Sequence, residues 1–145
     1  FNAMTDASLA QSIAHDHRTL GREAWHITIT VREMMERTGL HVEGPGDTDP
    51  VPASAKAIAA TYEKSAKSLA DAVAKEWTDA SLNESDDMYG EKWQRAQTAL
   101  ILVLHQTHHR GQMVVLMRQA GLKVPGVYGP AMEDWAGYGM VAPAI

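Results

Sequence analysis

"ALILVLHQTHHRGQMVVLMRQAG", residues 99–121, decides how the rest of the chain is read. Three of the chain's seven histidines fall inside residues 105–112, between two apolar runs. Gly121 is a suitable C′ residue for ending a helix. The pattern predicts a helix from about Trp93 to Ala120, apolar nearly all round and therefore buried on several sides. His105 and His109 stand four residues apart, about 40° around a helix axis, so both imidazoles leave one face and can chelate a single ion. His108, three residues from His105, makes a second pair sterically open. On a solvated helix such histidines would be a polar stripe, but buried imidazoles need partners, and a metal ion is the strongest.

Two neutral imidazoles leave a divalent ion short of ligands, which calls for a third from another helix. In "TLGREAWHITITVREMMERTGL", Leu20, Ala24, Ile27, Val31, Met34 and Met35 recur at three- and four-residue steps, with Thr19 as N-cap and Gly39 as C-cap. The spacing predicts a helix over about 19–38, although "ITITV" alone would suit a strand. His26 sits mid-helix at the edge of its apolar face and is the best third ligand; taken alone it would also read as a core-edge histidine. His15, His17 and His41 fall near element ends or loops, where solvated histidine is the simpler reading. A further helix is predicted from "ASAKAIAATYEKSAKSLADAVAKEW", with Ile58, Tyr62, Leu69, Val73 and Trp77 on one face. "EGPGDTDPVP" and "TDASLNESDDMYGE" read as polar, turn-forming connections. The Gly- and Pro-rich tail leaves room only for a short helix at "AMEDWAG".

The chain has 145 residues, the size of one domain, so residues 1–145 are expected to share one core. The formal net charge is −5 with no basic run, which argues against a nucleic-acid partner and against an anionic membrane surface. There is no cysteine, so disulfides, thiolate zinc sites and a cysteine nucleophile are excluded together. With no signal-peptide pattern and no apolar stretch near membrane length, a cytoplasmic protein is the expectation.

"TDASL" occurs twice, at Thr5–Leu9 and at Thr78–Leu82. The second copy follows a helix end, "AKEW", and leads into the histidine-rich helix; the first follows "FNAM" and leads toward "AWHI". Structural equivalence of the two would make "FNAM" the last turn of a first helix whose body lies upstream of Phe1. The alternative is an extraneous "FNA" before a native Met4 and a chance recurrence. A four-helix bundle is a more natural home for these patterns than three helices with an open face.

"HQTHHRGQ", continued by "MVVLMRQAGLKVPGVYGP" and preceded by "TLGREAWHI", resembles the DinB-like (damage-inducible, YfiT-like) superfamily of metal-binding four-helix bundles. The resemblance extends over nearly the whole chain, including "DDMYGEKW" and "YGPAMEDWAGYGM". It implies an all-α up-down bundle with His26, His105 and His109 as metal ligands and His108 not a ligand. It also implies a long first helix ending in a segment like "FNAMTDASL". Relatives of this kind include metal-dependent thiol transferases and isomerases that use low-molecular-weight thiols. The implied function is therefore a thiol S-transferase-type enzyme working on a small-molecule substrate, with zinc or nickel as the ion and a thiol cosubstrate. A non-enzymatic, stress-associated metal-binding dimer and a metal-dependent hydrolase are the alternatives. No general base for hydrolysis is assignable, since Glu23 and Glu33 lie near His26 without a motif.

The remaining signature residues read mainly as structural. Arg110 is expected to bond a carboxylate (Glu23, Glu33 or Asp134) or helix-end carbonyls, and Gly111 to permit close helix approach. Gln112 shares the ligand face and is placed to orient a ligand or substrate, or to be a surface amide. Trp25, Trp93 and the methionines Met34, Met35, Met113 and Met117 read as core. His108 falls among expected core positions, where it would bond another helix. Leu102, Met113 and Met117 are expected to lie away from the main core stripe, leaving apolar surface for a homodimer.

Overall fold

The computed structural model describes residues 1–144. Three helices dominate: α1 (Leu20–Glu36), α2 (Ala55–Glu76) and α3 (Arg95–Gln119). Thr19 caps α1 by accepting from the Arg22 amide, and Ser54 caps α2 by accepting from the Ala57 amide. α1 thus begins where its expected cap, Thr19, places it. Gly39 and Gly121 take positive φ just past the ends of α1 and α3. The stretch "ITITV" is helical: Thr28 and Thr30 return their hydroxyls to the Ala24 and Ile27 carbonyls, which satisfies them in the interior.

α1 is the central element and packs against both α2 and α3. One end of the core gathers Leu20, Ala24, Ile27, Ile58, Met113 and Met117, and the other Val31, Met34, Met35, Leu40, Val42 and Leu102. The stripe that α3 buries runs through Thr98, Leu102, Gln106, His109, Met113, Leu116 and Met117. Leu102, Met113 and Met117 are therefore core residues, and the expectation that they lie off the stripe is corrected. The apolar surplus is instead Leu100, Val103, Leu104 and Val115, each about half exposed. A helix apolar on every side does not reveal its buried face by periodicity, because every phase of the pattern looks apolar.

Between α2 and α3 stands a feature absent from the sequence reading, an antiparallel hairpin of β1 (Ser85–Met88) and β2 (Glu91–Gln94). Its two-residue turn places Tyr89 and Gly90 at φ 60° and 88°, matching the twist of the paired strands. α3 consequently starts at Arg95, two residues later than the apolar pattern suggests, and Trp93 is a partly exposed strand residue whose indole donates to Glu91. Arg95 ties hairpin to helix through ion pairs with Glu84 and Asp86. Among the described residues of the tail the regular structure is a 3-10 turn, Trp135–Tyr138.

The repeated "TDASL" is a repeated structure. In the first copy the Thr5 amide donates to Ser8 Oγ at 3.0 Å and the Ser8 amide to Thr5 Oγ1 at 3.2 Å. In the second, the Thr78 amide donates to Ser81 Oγ at 2.8 Å and the Ser81 amide to Thr78 Oγ1 at 3.3 Å. Each serine hydroxyl also donates to its threonine carbonyl, at 2.7 Å and 2.8 Å. These reciprocal boxes open the 3-10 turns Asp6–Ala10 and Ser81–Asn83 and bury both serines. The first turn lies tightly on α1, where a Cβ on Gly21 would stand 3.2 Å from Leu9. Residues 12–19 form a closed loop: Ser12 bridges Thr19, and the Leu20 amide donates to the Gln11 carbonyl at 2.8 Å. Ser8→Ala and Ser81→Ala are each expected to lower stability by about 1 kcal/mol, read as a lower urea midpoint at unchanged slope.

Candidate metal centre

The α1–α3 interface brings His26, His105 and His109 together. A buried carboxamide sets their relative height. Gln106 Nε2 donates to the Ile27 carbonyl at 3.1 Å, and its Oε1 accepts from the Tyr62 hydroxyl at 3.1 Å. Ile27 follows His26 and Gln106 follows His105, so one side chain pins α3 to α1 and α2 beside the histidines. The Gln106 amide is thereby satisfied in the interior.

All three Nε2 atoms face one another. His105 Nε2 lies 3.2 Å from His26 Nε2 and 3.0 Å from His109 Nε2. Three nitrogens on a tetrahedral ion at ordinary zinc–nitrogen length would be about 3.3 Å apart, so the cluster is close to ligating geometry. His26 and His105 are partly buried and His109 is buried. Burial, followed by the Arg18 charge, pushes the His26 pKa down to about 4. Burial also lowers His105, helped by the neighbouring His109 and His108. Near neutral pH both rings are uncharged and offer lone pairs, the form a metal needs. The donor set therefore fits a divalent cation that favours nitrogen ligands.

His109 is oriented from behind. Its Nδ1 bonds the buried Glu23 carboxylate and also lies 2.7 Å from Gln112 Oε1. Both partners are acceptors, which assigns the proton to Nδ1 and leaves the Nε2 lone pair pointing into the triangle. Arg18 Nη1 lies 3.5 Å from the other Glu23 oxygen. The line Arg18–Glu23–His109 is a carboxylate-supported imidazole of the kind that holds metal ligands in place. Sequence reasoning left Glu23 unassigned; the available signal was an acid three residues before His26, on the same helix face.

The other sequence expectations resolve individually. His108 is exposed, so its expected place in the core is corrected. It lies outside the buried stripe of α3, although its ring stands edge-on to His109. Arg110 does not pair with Glu23, Glu33 or Asp134; it donates to the Tyr128 hydroxyl at 3.0 Å. A Cβ on Gly111 would meet nothing within 4 Å, so this glycine does not serve helix approach. Glu33 is held elsewhere by Arg37 and the Tyr89 hydroxyl. His15, His17 and His41 are exposed, as expected, but His17 borders a cleft.

That cleft, about 460 Å³, adjoins the histidine cluster on the Glu23 side. Ile13, Val115 and Leu116 give it apolar walls, His17 and Arg18 line it from the loop, and Glu23 and Gln112 face it from behind His109.

A helical bundle with an inward-facing group of three imidazoles that could hold a metal ion defines the class. The sequence profile of the DinB family matches residues 1–143. The chain belongs to the DinB family. It is 44% identical over 144 residues to the uncharacterized protein YrdA of Bacillus subtilis, covering 99% of this chain and 86% of that one. It also resembles the crystal structure of a DinB-like protein from Bacillus cereus, with TM-score 0.85 and 48% identity over 88% of this chain and 85% of the other.

Glu23→Gln should weaken divalent-metal affinity roughly 10–100-fold by freeing the His109 ring, whereas exposed His108→Ala should leave it unchanged and alter stability by less than about 0.5 kcal/mol. Calorimetric titration of zinc into the stripped variants distinguishes the two.

Proposed function

We propose that His26, His105 and His109 hold one divalent ion, zinc or nickel, and that the site activates a small-molecule thiol in an S-transferase-type reaction in the cytoplasm. The observation supporting this reading is the convergence of three Nε2 atoms, with a cleft behind His109 lined by Glu23 and Gln112. A divalent cation with three nitrogen ligands keeps a position for an exogenous ligand and lowers the pKa of a thiol bound there, so that the thiolate forms at neutral pH. The absence of cysteine fits a scheme in which the nucleophile arrives with the cosubstrate.

The chain's own residues favour an arriving thiol over hydrolysis. Hydrolysis asks for a free base beside the attacking water. The buried carboxylate nearest the site, Glu23, is committed to His109 and Arg18. A thiol of low intrinsic pKa needs less help, so Glu23 serves by fixing the His109 ring. The apolar walls of the cleft supply surface for a substrate body.

The exposed stripe Leu100, Val103 and Leu104 on α3 supports a homodimer built on this helix, since three half-exposed large apolar side chains lie on one stretch of surface.

Protein prepared without added nickel is expected to carry about one ion per chain by elemental analysis, and His26→Ala/His105→Ala to lose it; full metal content in the double variant would refute the assignment. With the ion in place, a thiol–electrophile screen should show transfer that chelation abolishes. For the dimer, light scattering should give twice the chain mass at high micromolar concentration, and Val103→Glu should shift it to monomer.

A further inference from the structure

We infer that the cleft beside the histidine cluster is a binding site for a small organic anion, a carboxylate with an apolar body, with Arg18 as its anchor. This rests on the metal-centre reading above and goes beyond it by naming the class of molecule that would bind beside the centre, behind His109.

The two ends of such a molecule are matched by different residues. Ile13 and Val115 line the cleft while being 59% and 49% exposed, so they offer apolar surface that the fold does not itself cover. Leu116, buried, continues that surface inward. At about 460 Å³ the cleft is large enough to take a small molecule, and its lining is predominantly apolar. At one edge stands Arg18, whose side chain is 49% exposed and so keeps donors free beyond its 3.5 Å contact with Glu23. A guanidinium grips a carboxylate with two parallel N–H donors, a geometry that a contact at this length to one Glu23 oxygen does not use up.

The backbone holds these groups in place. Ile13, His17 and Arg18 all belong to the loop closed by the Ser12–Thr19 bridge and the Leu20–Gln11 hydrogen bond. A loop pinned at its neck presents its side chains at lower entropic cost than a free one. Charge points the same way. The chain has a formal charge of −5, yet a divalent ion with Arg18 would outweigh Glu23 and leave this cleft positive. An electropositive cleft in an acidic protein selects anions from solution. The molecule would lie with its carboxylate on Arg18 and its body along Ile13, Val115 and Leu116, next to the residues that orient His109.

The test is calorimetric titration of acetate, hexanoate, octanoate and neutral hexanamide into metal-loaded protein, with metal content measured on every sample. Octanoate is expected to bind at least tenfold more tightly than acetate, and hexanoate more tightly than hexanamide. Val115→Asp, at a half-exposed position outside the Arg18–Glu23–His109 line, should weaken octanoate at least tenfold while retaining the ion, and Arg18→Gln, compared at equal measured metal occupancy, should weaken octanoate at least tenfold without weakening hexanamide. Absence of octanoate binding to metal-loaded protein would overturn the inference. So would octanoate binding indifferent to both variants, which would put the anion on the ion itself. Loss of metal from the unaltered protein would instead strike the metal-centre reading, so the two failures are separable.

Discussion

The carboxamide of Gln106 is the contact on which the site depends. Three imidazoles on two helices converge only if the helices are held at one axial height, since a slip of a single residue moves a side chain about 1.5 Å along the axis and 100° around it. Gln106 donates to the Ile27 carbonyl and accepts from Tyr62, so α1, α2 and α3 are tied at the level of His26 and His105. Apolar packing would tolerate a range of sliding positions; a buried amide with both ends satisfied does not, because slippage would strand it without partners.

Around that pin the site is layered. The inner layer is three imidazoles, of which His26 and His105 are held uncharged mainly by burial. Behind His109 lies Glu23, and behind Glu23 lies Arg18, which reaches the surface. The electrostatic consequence is a path of alternating character from solvent to the centre: cation, anion, neutral ligand. Arg18 pairs with Glu23, Glu23 in turn orients His109 by accepting from Nδ1, and the outermost member is the one a ligand can meet first.

Much of this could be read from the residues, and the parts that could not share a cause. His105 and His109 are visible because a four-residue step is a local geometric fact, and His26 because an apolar period surrounds it. The N-cap Thr19 and the glycines ending α1 and α3 are likewise local. Gln106, Glu23 and Gln112 acquire their roles only from residues on other helices or from which nitrogen of His109 is protonated, and no spacing rule carries that. The buried side of α3 was hidden by its uniform hydrophobicity, which let His108 pass for a core residue when it is exposed. The hairpin was hidden because "SDDM" and "EKWQ" are nearly all polar; its one large buried side chain is Met88.

The separation of the ligands along the chain has a consequence for folding. His26 and His105 are 79 positions apart, so an ion held by both closes a loop spanning more than half of the polypeptide. In an unfolded chain such a closure is entropically costly, and the cost grows only slowly with further length. An ion held there would act as a tether removable by chelation, joining α1 to α3 much as a covalent cross-link would. Metal-loaded chains should explore a smaller unfolded ensemble wherever the ion stays bound, while each "TDASL" box closes within four residues and needs no such help.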